Sequence, residues 1–95
     1  MSKYKLDKLN SYRNTVIEHG DPVHGSCYLH GQEIAEWTPE YVRLNFRGWA
    51  TPTTRRRMNE VLKALDVDAR VHQVKGVQYL DNAELSIYGW NTVER

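Results

Sequence analysis

Only one stretch of this sequence carries a helical period, and what surrounds it reads as strand or turn, which restricts the chain to few folds. Thr51-Pro52 marks the start of that helix. A threonine N-cap accepts from an early backbone amide, and proline at the first helical position lacks an N–H that would have no intrahelical partner anyway. Met58, Val61, Leu62 and Leu65 follow at i, i+3, i+4 and i+7, one apolar stripe along a helix of about residues 52–66. Arg56, Glu60 and Lys63 fall on the opposite side.

Before the helix, Val42, Leu44 and Phe46 alternate with Arg43, Asn45 and Arg47, the period of a strand with one buried face. Cys27 to Leu29 and Ile34 to Trp37 read as an extended run interrupted by a bulge or turn at Gly31, and Thr38-Pro39-Glu40 as a turn. After the helix, Ala69 to Val74 and Val77 to Asp81 are two strands joined at Lys75-Gly76, which suits a tight hairpin. Asp81 to Glu84 is a further turn, Leu85 to Trp90 a last strand, and Asn91 to Arg95 is expected to fray. Residues 1–25 are the least readable. Leu6, Leu9, Val16 and Ile17 partly suit a helix, Tyr12 to Glu18 suits a strand equally well, and His19-Gly20-Asp21-Pro22 and His24-Gly25-Ser26 read as loop; two short strands are the preferred reading. The expectation is one α+β domain spanning 1–95, a small mainly antiparallel sheet of about five to six strands packed on one central helix.

Composition supports a packed interior, with 40% hydrophobic residues in 95, although a chain this short buries only roughly 60–65% of its unfolded surface. The single cysteine, Cys27, allows no intrachain disulfide and fits a reducing compartment. The basic start Met1-Ser2-Lys3-Tyr4-Lys5 leads into no apolar segment of a signal peptide. No apolar run approaches the roughly 20 residues that span a bilayer, so a cytoplasmic chain without a membrane partner is expected.

Net charge is only +1, yet residues 41–59 hold five arginines and no acid, which leaves −4 on the rest. Arg55, Arg56 and Arg57 fall in the first turns of the helix, where the helix dipole disfavours cations. With the hydroxyls of Thr53 and Thr54 they could form a site for phosphate or for the carboxylates of an acidic partner. The alternative is structural: Arg56 pairing with Glu60, Arg55 or Arg57 packing over the sheet. Arg43, Arg47 and Trp49 supply the cations and the aromatic ring of a single-strand nucleic-acid surface, but Trp49 could equally be core. His24, Cys27 and His30 match no standard zinc spacing, so no metal and no cofactor are expected. No nucleophile elbow, phosphate loop or HExxH motif occurs, and catalysis is not expected.

The segments Leu29-His30-Gly31-Gln32-Glu33-Ile34-Ala35, Leu44-Asn45, Gly48-Trp49-Ala50-Thr51-Pro52-Thr53-Thr54-Arg55-Arg56-Arg57-Met58-Asn59 and Arg70-Val71-His72-Gln73 resemble a family of small uncharacterised bacteriophage proteins. Those carry LHGNxIA, LNxxGW, TxTTxxRMN and RVYQ segments in the same order. The likeness covers roughly residues 28–80; His72 stands where the family often has tyrosine, and Phe46-Arg47 replace smaller residues. The resemblance implies a phage protein in a bacterial cytoplasm, with no catalytic role attached. Three functions remain open. The first is an accessory protein that binds a host protein or nucleoprotein complex, such as a host defence complex, through its arginines and Trp49. The second is a direct nucleic-acid binder, disfavoured by a pI of about 7.9. The third is capture of a phosphate or nucleotide at the helix N-terminus. A homo-oligomer is compatible with all three, since a small sheet needs its edges covered.

Overall fold

A computed structural model describes residues 6–18 and 23–95; the basic start and the turn expected at residues 19–22 lie outside them. A 3₁₀ turn, Lys8–Ser11, leads into β1 (Thr15–Glu18), β2 (Gly25–Leu29), β3 (Gln32–Trp37) and β4 (Tyr41–Leu44). Helix α1 (Pro52–Ala64) follows, then β5 (Val71–Val74), β6 (Val77–Leu80), β7 (Ala83–Glu84) and β8 (Asn91–Glu94). The strands form two antiparallel sheets, one of five in the order β1-β2-β3-β4-β8 and one of three in the order β5-β6-β7. The fold is therefore α+β, with one complete α-helix among the described residues, and the strands that follow it form a second small sheet before the chain returns to the first.

The local reasons match the sequence signals. Thr51 caps α1, its Oγ1 accepting from Thr54 N at 3.2 Å, with proline next in line. Met58, Val61, Leu62 and Leu65 are all buried, against Val42, Leu44 and Phe46 among others. His30-Gly31 and Lys75-Gly76 both take positive φ, 53° and 78° in the first pair, 50° and 83° in the second, as two-residue hairpins of the twisted type require. Gly31 thus makes a turn, and the bulge sits earlier, between Cys27 and Tyr28. Opposite Trp37 lies Gly25, where an added Cβ would come within 2.3 Å of the buried indole. The ring occupies the space a side chain would need.

Three expectations are corrected. Leu85 to Trp90 is not the last strand, and Asn91–Glu94 does not fray: it is β8, paired with β4 from Tyr41↔Glu94 to Leu44↔Asn91. The amide of Asn91 closes residues 86–91 into a loop, accepting from Ser86 N at 2.9 Å and donating to Ser86 O at 2.8 Å. Asn45 does not stand on the polar face of a continuing strand. It is buried, β4 ends at Leu44, and Asn45 Oδ1 accepts from Arg47 N at 2.9 Å. Among the described residues of the first 25, the 3₁₀ turn precedes one complete strand and the start of a second, in keeping with the two short strands expected there.

Candidate functional site

The turn after β4 shapes the most enclosed recess near the helix start. Asn45 caps the amide of Arg47, and Arg47 and Gly48 then adopt φ of 55° and 77°. Trp49 N bonds Phe46 O at 2.8 Å and Gly48 N bonds Ile87 O at 2.7 Å, so the reversal is tied at both ends. The result places Trp49 outward, 66% exposed, while Tyr88, 81% exposed, lies over the neighbouring Gly48, where an added Cβ would come 3.2 Å from its ring.

Behind Trp49 lies a recess of about 500 Å³. Leu29, Ile34 and Phe46 give it apolar surface, His30, Gln32 and Arg47 line it from the β2–β3 turn and the β4–α1 turn, and Thr51, Thr53 and Thr54 line it from the helix start. Among the described residues no carboxylate lines it. At the helix N-terminus, Pro52 has no N–H, Thr54 N is taken by Thr51 Oγ1, and Arg55 N bonds Thr51 O at 3.1 Å. That leaves Thr53 as the first-turn amide without an acceptor among the described residues, a weak anion site by itself.

The arginines separate. Arg55 Nη1 lies 2.9 Å from Ala50 O and 3.1 Å from both Gln73 Oε1 and Gln78 Oε1, which ties the helix start to the β5–β6 hairpin. Gln78 is itself buried and donates to Gln73 Oε1 at 2.8 Å. Arg57 turns inward and is 8% exposed, its Nε donating to Thr15 Oγ1 at 3.1 Å and its guanidinium 4.1 Å from the centre of the Tyr12 ring. Its Nη1 is buried without a hydrogen-bond partner. Only Arg56 of the three is exposed, and no ion pair to Glu60 is formed.

On the other face of the main sheet, Arg43 pairs with Glu36 directly across from it on β3 and stacks over Trp90 at 4.7 Å. Arg47 approaches the same indole at 5.2 Å, and its Nε donates to Glu33 O at 2.9 Å. Nearby, Tyr28 has its phenol held above the ordinary range, mainly by the Glu33 carboxylate, with burial, Glu18 and Glu36 adding and Arg47 opposing. Thus Arg47, Trp49, Thr53 and Thr54 meet at the recess, Arg43 belongs to the sheet face, and Arg55, Arg56 and Arg57 point elsewhere. His30 was weighed in the sequence only as a zinc ligand, and Gln32 and Tyr88 carried no binding expectation. The turn signal at His30-Gly31 marked His30 and Gln32; nothing in the sequence marked Tyr88.

Cys27 is buried and its thiol is pushed up to about 12, chiefly by burial, with Arg57 opposing. Such a thiol is neutral and a poor nucleophile at neutral pH. The described residues contain no group of three metal-ligating side chains and no helix long and apolar enough to cross a membrane.

These features define a small α+β protein with an exposed tryptophan at a recess whose described lining holds no acid. The chain belongs to the family of the Kyanoviridae Gp96 protein, a bacteriophage family whose sequence model matches residues 4–94. No curated protein and no solved structure matches it.

Proposed function

We propose that this phage accessory protein acts by docking on a host protein, with the recess, Trp49 on its lining and Tyr88 over the adjacent Gly48 as the contact. The observation that carries this reading is the exposure of Trp49 at 66% by a turn bonded at both ends. A large aromatic ring held in water beside an apolar hollow is costly to leave uncovered, and aromatic anchors of this kind dominate protein interfaces. The described lining has Arg47 and no acid, so it favours a partner segment that offers an apolar side chain flanked by carboxylates. The choice of a defence complex as target rests on phage membership alone.

A photoreactive residue at Gln32, introduced into wild type and into a Trp49→Ala/Tyr88→Ala variant in host cells, tests this. One discrete host protein crosslinked to wild type and lost in the variant is the expected result. Equal, diffuse labelling of both sinks the reading.

A second reading has its own observation. A groove of about 770 Å³ between α1 and β5 is lined by Arg55, Arg56, Lys63 and Arg70, against Glu60 and Asp68, a cationic excess that suits a nucleic-acid backbone. Anisotropy of a labelled oligonucleotide at two salt concentrations, with an Arg56→Glu/Arg70→Glu variant, decides it. Salt-sensitive binding lost in the variant supports nucleic acid, and no binding at low salt removes it.

A further inference from the structure

The two sheets have four open edges, and they are treated differently. On β1 the outward amide of Ile17 is capped by Asn10 Oδ1 at 2.7 Å. On β5 both outward groups of Val71 are taken by Asn59, whose Oδ1 accepts from Val71 N at 2.7 Å and whose Nδ2 donates to Val71 O at 2.9 Å. The β7 edge is two residues long. Capping by side chains and short length are the usual means of keeping an edge from pairing with another chain.

The β8 edge has neither protection. Thr38 N bonds Tyr41 O, and Asn45 N bonds Ile34 O, so Tyr41, Arg43 and Asn45 face β3. Arg95 N bonds Glu40 O, and the antiparallel alternation then turns Asn91, Val93 and Arg95 towards β4. Thr92 and Glu94 therefore aim their backbone N–H and C=O groups outward. Both side chains are exposed, and no acceptor or donor meets these groups among the described residues. On the inner side a cleft of about 330 Å³ separates Val93, Glu94 and Arg95 from the loop after α1, which leaves the edge accessible.

We propose that β8 is a self-association edge, where a second copy of this chain adds its own β8 antiparallel and joins the two five-stranded sheets into one of ten. Charge selects the register. Centring the two-fold on Glu94 would oppose two carboxylates, which is unfavourable. Centring it on Val93 sets Val93 against Val93 of the partner subunit, and sets Glu94 against Thr92 of the partner subunit. Both outward residues of each copy then exchange paired backbone hydrogen bonds. In that register Arg43, beside Thr92 on β4, lies on the same face and in the same cross-strand row as the partner subunit's Glu94, so opposite charges approach along the joined surface.

The test is the mass in solution at up to about 100 μM, because an interface of one strand pair falls below the standard size. Wild type is expected at twice 11.1 kDa. Thr92→Pro removes an outward N–H while leaving the ladder to β4 intact, and is expected to be monomeric with an unchanged circular dichroism spectrum. Val93→Cys in a Cys27→Ala background provides an independent measurement should Thr92→Pro fail to fold. Directly opposed non-hydrogen-bonded positions lie within disulfide reach, so air oxidation should link two copies through residue 93, whereas Thr92→Cys in the same background should not link. A monomeric wild type, a folded Thr92→Pro dimer, or crosslinking at 92 instead of 93 would each overturn the proposal.

Discussion

Asn59 offers the sharpest check on how the two sheets are joined. Its side chain lies alongside the edge of β5 as a short piece of backbone would, donating to Val71 O at 2.9 Å and accepting from Val71 N at 2.7 Å. Asn59→Ala deletes both bonds and leaves the two backbone groups half-shielded between helix and strand. At a net 0.5–1.5 kcal/mol for each ordinary hydrogen bond, the loss is about 2 kcal/mol. Alanine is the better helix former by roughly 0.5 kcal/mol, which offsets part of it. The remainder, about 1.5 kcal/mol, corresponds to a fall in Tm of roughly 6–12 °C in a domain of this size. Asn59→Asp separates the two bonds, because a carboxylate still accepts from Val71 N but faces Val71 O with no proton to donate. It should therefore melt below wild type at neutral pH. Thermal melts followed by circular dichroism measure both variants. If Asn59→Ala melts within about 2 °C of wild type, the side-chain clasp is not what holds β5 to α1, and the two-bond argument fails.

Gly25→Ala would set a methyl within 2.3 Å of the buried Trp37 ring, and overpacking of this kind should cost about 1–3 kcal/mol in a urea melt. Arg57→Met removes a buried guanidinium with one orphaned nitrogen, while Thr15 Oγ1 keeps its bond to Arg13 O. Stability should therefore stay within about 1 kcal/mol of wild type or rise, since an unmatched buried charge is costly; a loss above about 2 kcal/mol would show that the stacking on Tyr12 outweighs that cost. Cys27 should resist alkylation in the folded chain at pH 8 and react once urea unfolds it. Its folded thiol titrates near 12 against an ordinary 9.0, so between those values the unfolded chain releases its proton first and stability falls as pH rises. Urea melts at pH 8 and pH 10 should show wild type losing about 1 kcal/mol more than Cys27→Ala over that interval.

The legible parts of the fold were those where the local signals agree with one another. Helix α1 was readable because its cap, its proline and its apolar stripe agree, and the β5–β6 hairpin because Lys75-Gly76 can adopt positive φ at both positions. Strand β8 was not, since Asn91-Thr92-Val93-Glu94 has one apolar residue and becomes a strand only because β4 presents an unpaired edge 47 positions away from Asn91. Asn45 misled for a related reason: a side chain that caps the next turn looks like a polar-face residue when read by alternation. Of the residues singled out in the sequence, Trp49, Thr53 and Thr54 lie together at the recess, Tyr88 carried no signal, and the destinations of the arginines depended on what lay across the fold. Arg55 finds two glutamines on the far hairpin, and Arg57 finds Thr15 and Tyr12.

That division runs through the segment from Leu29 to Asn59. Its residues fall into two sets with different work. Arg55, Arg57, Met58 and Asn59 all point from α1 into the molecule, fastening the helix to one sheet or the other. Leu29, His30, Gln32, Ile34, Trp49, Thr51, Thr53 and Thr54 instead surround a single hollow, although they come from two turns and a helix start separated by 25 positions at the extremes. A run of three arginines invites an electrostatic reading, but two of them have their guanidinium groups engaged in internal contacts. The cation that does reach the recess is Arg47, exposed although its Nε is bonded to Glu33 O and its guanidinium lies over Trp90, and the surface that most needs covering is Trp49 with Tyr88. Within the triplet, substitution of Arg55, whose guanidinium joins the helix start to the far hairpin, should therefore act on stability. Substitutions at Trp49 and Tyr88 should leave the melting curve nearly unchanged and remove binding.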